Sequence, residues 1–141
     1  MTVNPLADAA ASVGDRWTLQ VIAALLDGPK RFNELAEHVE GIAPTVLSQR
    51  LKHLEREGVV VATPYTRRPP RLSYDLSASG KELAGALRLL TQWGAARAGA
   101  DADAPPLHHQ LCGTPLEAHW VCPTCNLPVD DPTGADELSY L

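Results

Sequence analysis

GIAPTVLSQRLKHLEREG, residues 41–58, is the stretch that decides the fold. Leu47, Leu51 and Leu54 recur at helical spacing, and Pro44 is tolerated in a first helical turn. The pattern predicts an amphipathic helix over residues 44–57, ended by Gly58. Its other face is rich in hydrogen-bonding groups that no packing requirement explains: Thr45, Ser48, Gln49, Lys52, His53 and Arg56.

Two helices are predicted before this one. Apolar residues between Trp17 and Leu26 fall on one helical face, and Asp27-Gly28-Pro29 stops that helix. Asn33 is expected to cap a short second helix over residues 34–39, which Glu40-Gly41 closes. A helix, a short helix, a tight turn and an amphipathic helix are the elements of a helix-turn-helix.

A basic-tipped hairpin is predicted to follow. Residues 59–63 and 71–76 are rich in β-branched and aromatic side chains, and Arg67-Arg68-Pro69-Pro70 lies between them. Pro64 confines the first strand to an edge or to the end of its ladder. Ser77 is expected to cap a further helix over residues 78–98. The predicted fold class is therefore mainly α (α+β), a winged helix-turn-helix whose wing is this two-stranded hairpin.

Length and charge narrow the class of protein. A chain of 141 residues fits one domain with a small appendage, which excludes a multidomain enzyme. The net charge is −5, yet all twelve Lys and Arg lie between Arg16 and Arg97, and residues 44–71 hold six basic against two acidic residues. This basic patch favours a nucleic-acid partner. The longest apolar run, residues 21–26, is far short of the roughly 18 residues of a membrane span, and the N-terminus lacks a secretion signal, so a cytoplasmic location without a membrane partner is expected.

Longer strings of sequence resemble the HxlR-type transcriptional regulators. They are VGDRWTL (13–19), LDGPKRFNEL (26–35), GIAP (41–44), LSQRLKHLE (47–55), PPR (69–71), YDLS (74–77) and WG (93–94). The resemblance implies a dimeric DNA-binding protein, with the dimer formed by the first helix and the helix around Leu83 to Trp93. Many relatives carry a cysteine before the N-terminal proline, and in some of these relatives the cysteine senses electrophiles or oxidants. This chain has Asn4 before Pro5, so that sensing mode is not expected.

The predicted partner is operator DNA, bound by a homodimer that acts as a repressor and responds to an unknown small-molecule effector. The residues expected to contact DNA are Pro44, Thr45, Ser48, Gln49 and Lys52 on the helix, and Arg67, Arg68 and Arg71 on the wing. The resemblance adds Arg31 as a phosphate contact, for which a surface ion pair is the alternative. For Arg50, the alternative is that its side chain turns inward and pairs with a carboxylate. A protein-interaction adaptor on the same scaffold is the rival function.

The cysteines form a second motif near the C-terminus. His109 and Cys112, and Cys122 and Cys125, are two pairs of ligands, each with two residues between its members, and nine residues separate the pairs. This layout predicts a structural zinc site in a small zinc-ribbon-like appendage, with His119 or His108 as substitutes for His109. Reduced thiols in a mobile tail and a Cys122–Cys125 redox switch are the alternatives. An enzyme is not expected, because nothing nearby would orient a Cys112–His109 nucleophile.

The domain organisation follows from these motifs. Residues 1–98 are predicted to form the winged helix-turn-helix and dimerisation domain, residues 99–106 a linker, residues 107–127 the zinc-ribbon-like segment and residues 128–141 an acidic tail.

Overall fold

A computed structural model describes residues 2–99 and 107–129, which divide into two compact units, Met1–Leu90 and Thr91–Leu141. Most of the predicted linker and of the predicted acidic tail lies outside the described residues. The helices described are α1 (Pro5–Val13), α2 (Arg16–Leu25), α3 (Phe32–His38), α4 (Pro44–Arg56), α5 (Ala78–Glu82) and α6 (Ala84–Ala98). The strands are β1 (Lys30–Arg31), β2 (Val60–Arg67) and β3 (Pro70–Leu76), with β4 (Trp120–Val121) and β5 (Pro128–Val129) in the second unit. None of the described helices is long and apolar enough to cross a membrane.

Helix α1 is an element that the sequence pattern did not predict. Its alanine-rich sequence buries no side chain completely, and only Val13 at its end packs, partly buried, against the core. The Asn4 side chain caps it by accepting the Ala7 N–H. Near its end, Ser12 donates its hydroxyl to Glu57 at 2.9 Å, and its carbonyl lies 2.7 Å from His53 Nε2 at the far end of α4. His53 is thereby committed to holding α1 and does not belong to the open polar face.

Thirteen buried apolar residues form the core of the first unit: Val21, Ile22, Leu25, Leu35, Val39, Ile42, Leu47, Leu51, Leu54, Val59, Val60, Leu76 and Leu87. The three leucines of α4 are fully buried, as their spacing predicts. The helix predicted from Trp17 to Leu26 is α2, and its apolar face is buried in this core. The helix predicted as the first is therefore the second of the chain, and the dimer contact expected of the first predicted helix falls on α2, not on α1.

Helix α3 begins two residues earlier than predicted. Its N-cap is Arg31, and Asn33 lies inside the helix, so the predicted Asn33 cap is wrong. The reason is that Lys30 and Arg31 form β1, from which the chain enters α3 directly. The Glu34 carboxylate then reaches back to accept the Arg31 N–H at 2.8 Å, the acidic half of a capping box.

The sheet has three strands in the order β1-β3-β2, not the two that the sequence predicts. Strand β1 pairs with β3 through Lys30 opposite Tyr74 and Arg31 opposite Ser73. Strand β2 lies at an edge, which confirms the position predicted from Pro64. The ladder shifts between Pro64 and Thr66, so Tyr65 is the extra residue of a β-bulge.

The predicted helix over residues 78–98 is interrupted at Leu83 and forms α5 and α6. The Ser77 cap is confirmed, since its hydroxyl accepts the Gly80 N–H at 3.1 Å. Gly80 is buried so tightly that an added Cβ would collide with the Val59 carbonyl. Of the leucines aligned on this helix, Leu87 is buried whereas Leu90 is 48% exposed.

The second unit contains the hairpin of β4 and β5, and an isolated bridge between His108 and Pro115. Between residues 107 and 129 no side chain is fully buried, and only Cys122 and Val129 are even half-buried. Apolar side chains such as Leu111, which is 90% exposed, contribute no core here.

Candidate nucleic-acid interface

The exposed face of α4 is polar and basic. Thr45, Gln49, Lys52 and Arg56 are exposed and recur at intervals of four, three and four residues, so they share one side of the helix. Pro44 is exposed at the first turn, where its missing N–H costs nothing. Ser48 is half-buried. The structure thus brings the predicted helix residues together at the surface and adds Arg56, which the sequence placed on the polar face but not among the contact residues.

Arg50 turns away from this face. Its Nε lies 3.5 Å from Asp15 Oδ1, which confirms the inward alternative. The same carboxylate accepts the Trp17 and Thr18 N–H groups at 3.0 Å and so caps α2. The hydrogen bond from the Thr18 N–H holds the pKa of Asp15 below its ordinary value of 3.8. Desolvation raises this pKa, and the positive charge of Arg50 lowers it. Arg50 thereby locks α4 onto α2.

The wing carries three exposed arginines. Arg67 ends β2, Arg71 lies in β3, and Arg68 is in the turn between the strands. The Thr66 hydroxyl donates to the Pro69 carbonyl at 2.7 Å and closes that turn. Within residues 2–99 and 107–129, neither these three arginines nor Lys52 forms an ion pair with a carboxylate. Their charges are therefore available to an external anion.

Arg31 connects the helix-turn-helix to the wing. Its guanidinium carbon lies 4.2 Å from the centroid of the Tyr65 ring, a cation–π contact. The bulge makes this contact possible, because an extra residue in one strand re-aims its side chain. No carboxylate within the described residues forms an ion pair with Arg31, so the ion-pair alternative is not what the structure shows. The role of Tyr65 was not predicted from the sequence, in which the preceding Pro64 is the residue that points to an irregular strand.

The predicted metal ligands are gathered as two pairs. His109 Nδ1 lies 3.3 Å from Cys112 Sγ, and the thiol of Cys125 is within hydrogen-bonding reach of Cys122. Hydrogen bonds from Thr114 lower the pKa of Cys112, and those from the amides of Cys125 and Thr124 lower the pKa of Cys122. In the described part of the chain, no three His, Cys, Asp or Glu side chains stand close enough to hold one metal ion. The structure therefore does not show the zinc-ribbon-like appendage.

A helix-turn-helix with one solvent-facing polar helix, followed by a hairpin with exposed arginines at its tip, defines a winged helix-turn-helix protein. The family model described as HxlR-like helix-turn-helix matches residues 12–101. The chain belongs to the HxlR-like helix-turn-helix family. Residues 107–129 lie outside the matched region.

Relatives and solved structures agree with this assignment. The HTH-type transcriptional regulator Rv3095 of Mycobacterium tuberculosis is 35% identical over 115 residues, which cover 80% of this chain and 72% of the relative. The crystal structure of the HTH-type regulator ytcD has a TM-score of 0.63 and 32% identity, and covers 67% of this chain and 97% of its own. The reduced redox regulator HypR has a TM-score of 0.61 and 28% identity, with 64% and 90% of the two chains covered.

Proposed function

We propose that this protein is a sequence-specific DNA-binding transcriptional regulator, with α4 as the recognition helix in the major groove. The observation that carries the proposal is the face formed by Thr45, Gln49, Lys52 and Arg56, which is solvent-exposed along the whole length of a helix whose other side is fully buried. A helix fits the major groove, and amide and basic side chains pair with base edges there.

The wing supplies the sequence-independent part of binding. Arg67, Arg68 and Arg71 have no carboxylate partner in the described ranges, so phosphates can take that place. Contacts to phosphates position a protein on the duplex and add affinity by releasing counterions. Arg31 contributes one further cation where α3 begins.

We propose a homodimer that uses α1 in place of the first predicted helix, α2, because the first unit exposes apolar side chains at the start of α1 and on α6. Val3 and Leu6, at α1, are 67% and 62% exposed, and Leu89 and Leu90, on α6, are 44% and 48% exposed. A second copy of the chain is the partner that would remove these side chains from water. A twofold dimer places two recognition helices about 34 Å apart, one turn of the duplex.

Repression is the direction of control that we propose, since a dimer covering two half-sites of a promoter excludes other proteins from it. A small-molecule effector is proposed to modulate binding. The cysteines of this chain lie at positions 112, 122 and 125, outside the region matched by the family, so control through a thiol inside the winged domain is not part of the proposal.

Footprinting of the protein on the DNA upstream of its own gene tests the function, together with sedimentation of the free protein. We expect a dimer and two protected half-sites about one helical turn apart. A shuffled duplex of equal length and composition is the control. A monomer without protection even at low salt would favour the alternative, a protein-interaction adaptor.

A further inference from the structure

The second unit repeats one backbone turn at two places in the chain. The first turn runs from His109 to Thr114 and the second from Cys122 to Leu127. In each, the N–H of the first residue donates to the carbonyl five residues later, at 2.8 Å in the first turn and 3.0 Å in the second. In each, the N–H of the fifth residue donates back to the first carbonyl, at 2.7 and 2.8 Å.

The repetition extends to the backbone angles. The fifth residue has a left-handed conformation in both turns, with φ of 70° at Gly113 and 55° at Asn126. Glycine reaches this region without strain, and asparagine is among the few other residues that tolerate it. Asn126 is the only non-glycine residue with positive φ in the described part of the chain. Two segments of unrelated sequence therefore fold into the same turn.

What the two turns share in sequence is the placement of soft ligands. Positions one and four are His109 and Cys112 in the first turn, and Cys122 and Cys125 in the second. The turn brings positions one and four together, as the 3.3 Å between His109 Nδ1 and Cys112 Sγ shows. The first turn thus presents two donor atoms to one point in space, and in the second the Cys125 thiol lies within hydrogen-bonding reach of Cys122.

Apolar packing does not account for the order of this segment. Residues 107–129 bury no side chain completely, and a chain this short has too little apolar contact to offset its conformational entropy. Binding of a metal supplies folding free energy to small units of this kind. We propose that the two turns bind a single zinc ion through His109, Cys112, Cys122 and Cys125.

The ligand set selects the metal. Three thiolates and one imidazole in a tetrahedron are a structural zinc site, whereas plant-type and [4Fe–4S] clusters take four thiolates and Rieske clusters take two thiolates and two imidazoles. All four positions are filled by protein, so no water is left for chemistry and the ion is structural. In the described chain the two pairs do not yet form one cluster, so zinc binding includes closure of one turn onto the other.

His109 is the fourth ligand in this assignment. It occupies position one of its turn and faces Cys112, whereas His119 Nε2 lies 3.2 Å from the Glu117 carboxylate. His108 is paired with Pro115 in the isolated bridge and lies one residue outside the turn. His119→Ala and His108→Ala are therefore matched controls for His109→Ala.

Elemental analysis of the full chain, purified under reducing conditions without added metal, tests the proposal. We expect about one zinc per chain in the parent protein and in both control variants, and a clear loss in His109→Ala and Cys122→Ser. Replacement by Co²⁺ should give the visible absorption of a tetrahedral site with thiolate ligands, saturating at one equivalent. All residues of the hydrophobic core lie between Val21 and Leu87, so the ligand variants should keep the helical circular dichroism of the parent.

Two results would overturn the zinc site, and a third would overturn the assignment of His109 to it. One is a metal-free protein whose three thiols react freely in the native state, which is the behaviour of a tail without a metal. Another is a metal-free protein in which Cys122 and Cys125 form a disulfide once the reductant is removed, which is the behaviour of a redox pair. The third is loss of zinc in His119→Ala with retention in His109→Ala, which would reassign the fourth ligand.

Discussion

The carboxylate of Asp15 joins the start of α2 to the middle of α4, because Oδ1 accepts the Thr18 N–H at 3.0 Å and lies 3.5 Å from Arg50 Nε. One oxygen therefore fixes both the beginning of a core helix and the position of the helix that we propose reads DNA. Arg50 Nε is buried without a hydrogen bond, so its environment depends on this negative charge.

Asp15→Ala should destabilise the protein by about 1 to 2 kcal/mol, because an N-cap is lost from a helix that carries part of the core. Asn4→Ala removes the corresponding cap of α1, which buries no side chain, so its effect on global unfolding should be much smaller. Urea denaturation measures both. Equal losses in the two variants would show that Asp15 has no role beyond an ordinary cap.

The stability should depend on pH through Asp15. The native pKa of this carboxyl lies below the unfolded value of 3.8, chiefly because the Thr18 N–H donates to the ionised form. The stabilisation is therefore complete above 3.8 and is lost as the pH falls through the lower native value. Asp15→Asn should show a shallower fall of the urea midpoint below pH 3.8. Parallel curves for parent and variant would contradict this.

Gly80→Ala should destabilise the first unit by about 1 to 3 kcal/mol, since the new methyl group meets the Val59 carbonyl. Gly85→Ala, early in α6, is the matched control because nothing lies within 4 Å of its added Cβ. That control should be neutral or stabilise by up to about 1 kcal/mol through helix propensity. Thermal unfolding separates the two, and an unchanged stability of Gly80→Ala would mean that α5 can shift away from Val59.

Gln49→Ala should weaken operator binding by about 1 to 3 kcal/mol and leave binding to random DNA nearly unchanged, because an amide that pairs with a base discriminates between sequences. Gln20→Ala changes an exposed glutamine of α2 in the same way and should leave both affinities unchanged. Titration of labelled operator and of a shuffled duplex gives the comparison. Equal weakening on both duplexes would remove Gln49 from base recognition.

Replacing both Arg67 and Arg68 by alanine should weaken binding to all sequences and lower the salt dependence by about two counterions, since each phosphate contact contributes roughly 0.9 to the slope. Arg88→Ala on α6 removes a charge remote in sequence from the wing and α4 and should leave the slope unchanged. Binding measured over a series of salt concentrations provides the test. An unaltered slope in the double variant would place the wing away from the DNA.

Periodicity was sufficient for the elements that bury a stripe of side chains. The spacing of Leu47, Leu51 and Leu54 gave the limits of α4 to within one residue, and Ser77 and Pro64 correctly predicted a helix cap and an edge strand. In each case a local rule of packing or hydrogen bonding agrees with the tertiary structure. The exposure of Thr45, Gln49 and Lys52 follows from the same helical period.

Elements that depend on distant partners were not predictable from the pattern. Strand β1 has two residues and exists only through its pairing with β3, and α1 is a short alanine-rich helix with no fully buried side chain. His53 does not belong to the open polar face, because its ring contacts the carbonyl of Ser12, a residue 41 positions away in the sequence. The contact between Arg31 and Tyr65 depends on a bulge, which Pro64 allows but does not specify.

Strand β1, the third strand of the wing sheet, restricts how the wing can move, which would not be so in a free hairpin. Because β1 belongs to the wing sheet and runs directly into α3, the wing has no hinge of its own, and any rotation of the wing would have to carry α3 with it. If α4 and the wing contact DNA as proposed, the offset between the bases read and the phosphates touched is constant within a half-site. Variation among natural operators should then be confined to the distance between half-sites.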